Sequence, residues 1–597
     1  MILPIEQKRD EIIEKIQKNQ ITIISTPTGS GKTMMVPKYA YDLLGKQIFC
    51  TVPRRILATE AMNSANDIHG EEFAGYIHGE GTFNKEAPVC YITEGSFIMR
   101  NMADKLTVGS VVCFDEVHEQ GKILETLLYA AIGYAEKGLK IVLMSATLDI
   151  PKYKGYYEKR GLSVGVVSLP PAEKLFDISY EITASPEKSV AEAAKAGGRV
   201  LVGLSGKEEI ERFQRDVVRT FKGKIFQIHG EVEIEEQEEA LACLEPCVYL
   251  CTNMVQSGIT IKGLTHGYFD GFGKRIEMEK GENKLVKYKL SKSEMKQWYG
   301  RLGRLCAGTI FITNKKDIEL EGRDEMPTPE ILRTSLEDII LYFAYMGLDL
   351  SECVLLNKPP KENIRLSVEV LKKLGCADVS GKVISYGLAV ISEGAGVRGG
   401  IAAIKGRFLS LENLAKKVAL VSSYKSFFSK NGEMTTPLNI ITKFIGDDLY
   451  EKYKHSDLLL QVGVVEYFIK KYSVINDKRT GYVIPELELE LFKQECDNAF
   501  IFRRTLQNII YNFYKIDRLT VNGSEEIENI DLVIKAMYAD CITDAFFGKA
   551  YDGKNFRKIV HNSKAVQLLR KNAVGNFVCL EDKRNKNIFL LENVTYI

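Results

Sequence analysis

Ile21-Thr-Ile-Ile-Ser-Thr-Pro-Thr28-Gly29-Ser30-Gly31-Lys32-Thr33 reads as a strand running into a glycine-rich loop and then a helix. It satisfies the second half of the rule G-x-x-x-x-G-K-[ST], with Thr26 at the first glycine position. Gly29 and Gly31 let backbone N–H groups turn inward around a β-phosphate, Lys32 brings a point charge to the β and γ oxygens, and Thr33 offers a hydroxyl to magnesium. A bare structural turn would not need Lys-Thr in register after Thr-Gly-Ser-Gly. Residues Thr28 to Thr33 are therefore expected to bind a nucleotide.

Outward from this loop, to about residue 310, short apolar runs alternate with amphipathic stretches. The runs are Ile21–Ile24, Val111–Phe114, Lys140–Met144, Arg199–Val202 and Cys247–Leu250. Buried strands separated by helices make parallel sheets flanked by helices. The pattern pauses near Leu169-Pro170-Pro171 and begins again, which predicts two α/β domains side by side. One run, Val111-Val-Cys-Phe-Asp115-Glu116-Val-His118, ends in adjacent acids. Such a strand can deliver Asp115 to magnesium while Glu116 orients and deprotonates an attacking water. Lys32 with Thr33, Asp115 and Glu116 thus predict NTP hydrolysis, with ATP or another NTP and Mg2+ as cofactors and Thr33, Asp115 and Glu116 as the metal-binding set.

The 597 residues, 45% of them hydrophobic, allow about four domains at roughly 150 residues each and exclude disorder as the main state. Lys and Arg number 80 against 79 acids, so any polyanion must be met by a local basic groove. The 12 cysteines read as small core residues of a reducing compartment. Cys243, Cys247 and Cys251 sit where a helix end runs into a buried strand, with no matching Cys or His pair nearby, which disfavours zinc. No apolar signal core opens the chain, and no apolar run approaches about 18 residues. A cytoplasmic protein without a membrane partner is expected. After about Gly322, amphipathic helices such as Thr334–Tyr345 and Asn363–Leu374 take over, and from Asp531 short alternating segments, Asn576–Leu580 and Asn587–Leu591, predict a small β-rich module.

Asp115-Glu116-Val117-His118-Glu119 resembles the Asp-Glu-Ala-His-Glu of the DEAH-box RNA helicases of superfamily 2. Thr51-Val-Pro-Arg54-Arg55, Tyr91-Ile-Thr93-Glu94-Gly95, Ser145-Ala146-Thr147, Leu204 to Ile210, Thr252 to Thr260 and Gln297 to Arg304 fall in that family's order. The resemblance implies two RecA-like domains, 1–171 with the ATP site and 172–322, then a winged-helix-like domain at 323–395, a helical ratchet-like domain at 396–525 and an OB-like domain at 526–597. It implies that Gln297, Arg301 and Arg304 face the phosphate held by Lys32, the arginines stabilising γ-phosphoryl charge and Gln297 helping Glu116 to place water. Gly258 would border the nucleotide, and His118, Ser145 and Thr147 would couple hydrolysis to movement. Arg54, Arg55, Thr93, Glu94, Gly95, Ser205 and Thr252 would hold the backbone of a single strand, so binding should be largely independent of sequence and sensitive to salt. Taken singly, Thr93 and Thr252 are as well explained as helix caps.

The implied partners are single-stranded RNA or DNA and a duplex with a 3′ overhang, with a protein cofactor possible on the C-terminal modules, and the implied state is a monomer. Arg275–Glu279 and Leu285–Leu290 alternate around Lys280-Gly-Glu-Asn283, a β-hairpin signal. In the family a hairpin here can act as a wedge. Trp298, Gln256 and Lys262 depart from the family pattern. Trp298 offers a stacking surface or core packing, with packing favoured. The leading expectation is an NTP-dependent helicase moving 3′ to 5′, RNA being the favoured strand. The rivals are an ATP-gated nucleic-acid clamp or remodelling factor, and a DNA-directed helicase. A small-molecule kinase has no use for a second sheet ending in Gln297 to Arg304.

Overall fold

The computed structural model of the chain describes residues 3–27, 29–79, 81–169, 176–229, 239–252, 261, 263–279, 282–303, 306–422, 429–430, 433–434, 445–453, 456–471, 475–477, 481–483, 530–537, 543–547, 569–581 and 587–596. Thr28, Gln256, Gly258, Lys262 and Arg304 lie outside them, as does most of the range 423–568.

The first α/β domain is built on β1 (Ile21–Ser25), β2 (Ile48–Val52), β3 (Ala74–His78), β4 (Gly81–Phe83), β5 (Val89–Thr93), β6 (Val111–Phe114), β7 (Lys140–Ser145) and β8 (Val164–Ser168). Their order is β4-β3-β5-β2-β6-β7-β1-β8, parallel except for the β3–β4 hairpin. Every residue of β2 and β6 is buried, because helices cover both sheet faces, and this is why β6 reads as an unbroken apolar run. The helix Lys122–Glu136 buries Leu124, Leu127, Leu128, Ala131 and Ala135 at three-and-four spacing, with Glu125, Thr126 and Ala130 buried beside that stripe. Phe114 has no exposed surface, so Phe114→Ala would cost about 3–5 kcal/mol in lost burial and cavity.

The second α/β domain repeats the plan with β9 (Ile178–Ile182), β10 (Arg199–Gly203), β11 (Lys224–Ile228), β12 (Cys247–Cys251), β13 (His266–Phe269) and, after a separate hairpin of β14 (Phe272–Glu279) with β15 (Glu282–Lys289), β16 (Gly308–Ile312). The order β11-β12-β10-β13-β16-β9 is parallel throughout. The hairpin is tighter than the sequence suggested: Glu282 and Asn283 already pair with Glu279 and Met278, leaving residues 280–281 as the connection. Cys243, Cys247 and Cys251 are free thiols in this domain's core. Trp298 is 1% exposed and packs on Phe269 at 5.1 Å between ring centres, with no Cβ on Gly203 to obstruct it. That rules out the stacking surface and leaves core packing.

Two compact units divide the chain, Met1–Phe343 with Leu348–Ile364, and Ala344–Gly347 with Arg365–Ile597. The second unit is mainly helical where described. Helices Ser385–Ser392, Gly396–Phe408 and Glu412–Ser422 share a core, and Arg407 bridges Glu393 and Glu412. The tail forms a three-stranded antiparallel sheet from Thr543–Phe547, Leu569–Glu581 and Asn587–Tyr596. Among the described residues no single helix is long and apolar enough to cross a membrane.

Candidate nucleotide site and nucleic-acid edge

In an open parallel sheet, loops at the carboxyl ends of the strands form the binding crevice. The first sheet obeys this. The phosphate loop follows β1, Arg54 and Arg55 follow β2, Thr93 to Gly95 follow β5, Asp115 and Glu116 follow β6, and Ser145 closes β7. Register keeps these ends level, with Ser25 opposite Ser145 and Val52 opposite Thr93.

Gly29 and Gly31 take left-handed φ values of 81° and 90°, which L side chains adopt only with strain. Thr26, where the motif has glycine, places its hydroxyl 2.8 Å from that of Ser30 and so closes the loop from within. Lys32 opens the helix Lys32–Leu44 and is 4% exposed. Its ammonium donates to Glu116 Oε1 at 3.3 Å. Burial disfavours the Lys32 charge, but Asp115 and Glu116 outweigh it and its pKa is raised. The Thr33 hydroxyl donates to Asp115 Oδ2 at 2.5 Å, and Asp115 Oδ1 accepts the Glu116 N–H at 2.9 Å. Burial, opposed by Lys32, pushes the Asp115 carboxyl up to about 6.

Glu116 sits at φ 54°, a left-handed conformation for a residue with a side chain, and starts the 3-10 turn Val117–Glu119. That turn swings His118 back so that Nδ1 lies 3.2 Å from Glu116 Oε2 and 3.4 Å from Ser145 Oγ. Burial, reinforced by the Lys32 charge, holds His118 down at about 4. It is a neutral imidazole at pH 7, and the carboxylate assigns the ring proton to Nδ1. Ser145 donates to the Thr147 carbonyl at 2.7 Å, while the Thr147 hydroxyl is buried without a partner. Lys32, Thr33, Asp115, Glu116, His118 and Ser145 thus form one connected cluster.

The donor set suits magnesium with a triphosphate. Among the described residues no group of three or more His, Cys, Asp or Glu side chains could hold a metal alone. Magnesium usually takes one or two protein oxygens plus phosphate oxygens and water, which the adjacent Thr33 hydroxyl and Asp115 carboxylate provide. Glu116 stands beside them with its oxygens on Lys32 and His118, so all three expected ligands, Thr33, Asp115 and Glu116, belong to one cluster.

Arg54 and Arg55 are exposed. Thr93 donates to Ser96 Oγ at 2.9 Å and, although it stands at the N-cap of helix Glu94–Met99, its side chain makes no capping bond there, which the cap alternative would require. Glu94 is buried rather than presented to a strand: it is 6% exposed, and burial with Glu119 and Glu330 nearby pushes it up to about 8. A Cβ on Gly95 would lie 3.4 Å from the Tyr342 hydroxyl, so Tyr342 of helix Glu337–Tyr345 sits against the start of helix Glu94–Met99. Sequence spacing gives no sign of that cover. Ser205 is also buried, its N–H donating to Asp270 at 3.2 Å, while Thr252 follows β12 with its N–H on the Ile228 carbonyl. Gln297 and Arg301 lie at and just beyond the C-terminal end of helix Lys292–Tyr299. Arg301 is buried, with its positive charge felt at Cys251 on the end of β12. Gly303 (φ 73°) lets the backbone pass Phe176, whose carbonyl a Cβ would meet at 2.9 Å.

Residues 7–154 match the DEAD/DEAH box helicase family. The crystal structure of the Escherichia coli DEAH/RHA helicase HrpB is similar to this chain with a TM-score of 0.70 at 19% identity, the match covering 100% of this chain and 70% of that one.

Proposed function

We infer, from the DEAD/DEAH box helicase domain at residues 7–154 and the DEAH/RHA-like fold around it, an ATP-dependent helicase that couples NTP hydrolysis to 3′ to 5′ translocation on a single strand, RNA by preference, acting as a cytoplasmic monomer. The observation that carries the reading is the joining of Thr33 to Asp115 and of Lys32 to Glu116 across the ends of β1 and β6.

Magnesium, when bound, draws charge from the β- and γ-phosphoryl oxygens. The loop amides at Gly29 and Gly31 surround the β-phosphate, and Lys32 exchanges Glu116 for phosphate oxygen. Thr33 and Asp115, with Glu116 beside them, would hold the metal. Glu116, freed from Lys32 and aimed by neutral His118, takes the proton of the attacking water. Gln297, Arg301 and Arg304 close from the second domain on the γ-phosphoryl group, so hydrolysis and domain movement are one event. Arg54, Arg55, Thr93 and Thr252 contact the strand backbone. Ser145, which touches His118 and donates to the Thr147 carbonyl, transmits the change together with Thr147.

ATPase assays with single-stranded RNA and DNA, and unwinding of a forked duplex with a 3′ overhang, test this. Stimulation should be larger with RNA. Lys32→Ala should abolish turnover, and Glu116→Gln should lower kcat by about a hundredfold or more. Stimulated hydrolysis without unwinding would instead favour a clamp or remodelling factor.

A further inference from the structure

We propose that Glu119 is a positioning residue that occupies Arg54 until a nucleic-acid phosphate displaces it, and that this exchange reports strand binding to the catalytic carboxylates. The proposal rests on the preceding reading that a strand stimulates hydrolysis. Arg54 stands at the N-terminus of helix Arg55–His69 with half its side chain exposed, and Nη2 pairs with Glu119 Oε2 at 3.1 Å. Glu119 is less exposed, and its other oxygen, Oε1, is buried without a hydrogen-bond partner. Its remaining neighbours include acids: Glu94, Glu116 and Asp115 all lie within electrostatic reach. Arg54 is thus the cation that compensates this carboxylate.

A phosphodiester arriving at the exposed guanidinium exchanges one anion for another on Arg54, which costs that residue little. Glu119 is then left among acids in a poorly solvated place, an arrangement that favours its displacement. The backbone can turn that displacement into movement. Glu119 ends the short turn Val117–Glu119, bounded by left-handed Glu116 (φ 54°) and Gln120 (φ 50°). Beyond it the chain is pinned, because the Gln120 carbonyl accepts the Glu330 N–H at 3.0 Å and Glu330 Oε2 accepts the Lys122 N–H at 3.0 Å. Movement is directed back through His118, which touches both Glu116 and Ser145. Arg54 thereby joins the strand-binding edge to the water-activating residue through four consecutive positions.

Glu119→Gln removes the competing charge at constant size. A partly exposed ion pair corresponds to about a two- to fivefold change in an equilibrium. We expect Glu119→Gln to bind single-stranded RNA about two- to fivefold tighter at low salt, with the gain shrinking at high salt. Basal ATPase should rise and the stimulation factor fall, with KM for ATP unchanged, a split that a general loss of structure would not give. In an Arg54→Ala background the tightening should vanish. Wild-type affinity and stimulation in Glu119→Gln, or tightening that persists without Arg54, would overturn the proposal alone. Absence of stimulation of the wild-type chain by either nucleic acid would overturn the helicase reading as well. Should Glu119→Gln fail to fold, Glu119→Asp, too short to reach Arg54, must shift affinity in the same direction.

Discussion

Pro37 lies inside the helix Lys32–Leu44 and has no N–H for the Thr33 carbonyl four residues back. The buried Tyr91 hydroxyl takes that place, donating to Thr33 O at 2.9 Å. Tyr91→Phe should therefore orphan the carbonyl of Thr33, whose hydroxyl is proposed to hold magnesium, costing about 1–3 kcal/mol in urea unfolding and, if that proposal holds, raising the Mg2+ concentration for half-maximal ATPase. Glu94 gives a pH test. Its folded value of about 8 lies above the ordinary 4.5, so the fold prefers the neutral acid. The penalty is absent below the ordinary value, grows as pH rises, and levels off once the buried group ionises. The melting temperature of Glu94→Gln should accordingly climb relative to wild type between about pH 5 and 8, and a constant offset would contradict the assignment. That Lys32 and Asp115 would meet was legible from a glycine loop after one strand and an acid after another, and His118 entered only through the family resemblance. The burial of Glu94 was not, since its neighbour Glu330 and the helix of Tyr342 come from far along the chain.

At the scale of elements, alternation identified the hairpin of β14 and β15, and pairing register assigns its two faces. On one, Arg275 stacks on Tyr288 at 4.3 Å, and Tyr288 donates to Glu294 at 2.7 Å, fixing the hairpin to helix Lys292–Tyr299. On the other, Ile276 and Leu285 are cross-strand partners and both are exposed. The distal end is held as well: Met278 N–H donates to the Arg333 carbonyl at 2.6 Å, and Asn283 donates to Ser335 Oγ at 3.0 Å. Alternation reveals which residues share a face but not what each face meets, so this anchoring was illegible. A braced hairpin with an uncovered apolar edge suits the wedge role. Replacing Ile276 and Leu285 together by serine should change stability by no more than about 0.5 kcal/mol at each site, reduce the unwinding rate, and spare RNA-stimulated ATPase. Equal loss of both activities would contradict the wedge.

Across the whole molecule, two parallel sheets and a helical second half were legible because each follows from local periodicity. The path of the chain between them was not, since its contacts join residues about two hundred positions apart or more. Beyond the second sheet, residues 330–360 return to the first domain. Lys122 Nζ reaches the Ser335 carbonyl at 3.2 Å and Asp338 at 3.6 Å, and Val354 O accepts from Tyr156 and Arg160. The firmest attachment is Asn357. Its N–H and side-chain amide donate to the two oxygens of buried Glu125 at 2.7 and 2.8 Å, and its Oδ1 accepts from Lys152 at 2.6 Å. Burial raises the Glu125 pKa, and Asn357 opposes that rise. Asn357→Ala removes the side-chain bond and lets the acid rise further, leaving a buried carboxylate underpaired, at a cost of about 2 kcal/mol or more. Because a protonated Glu125 needs less compensation, the cost should be smaller in mild acid than at neutral pH. In a Glu125→Gln background the same substitution should cost less at both values and lose its pH dependence. Urea midpoints of the four proteins at two pH values measure this. A cost that ignores both pH and the partner substitution would mean that Asn357 acts through packing, and that the Glu125 carboxylate does not hold the returning segment.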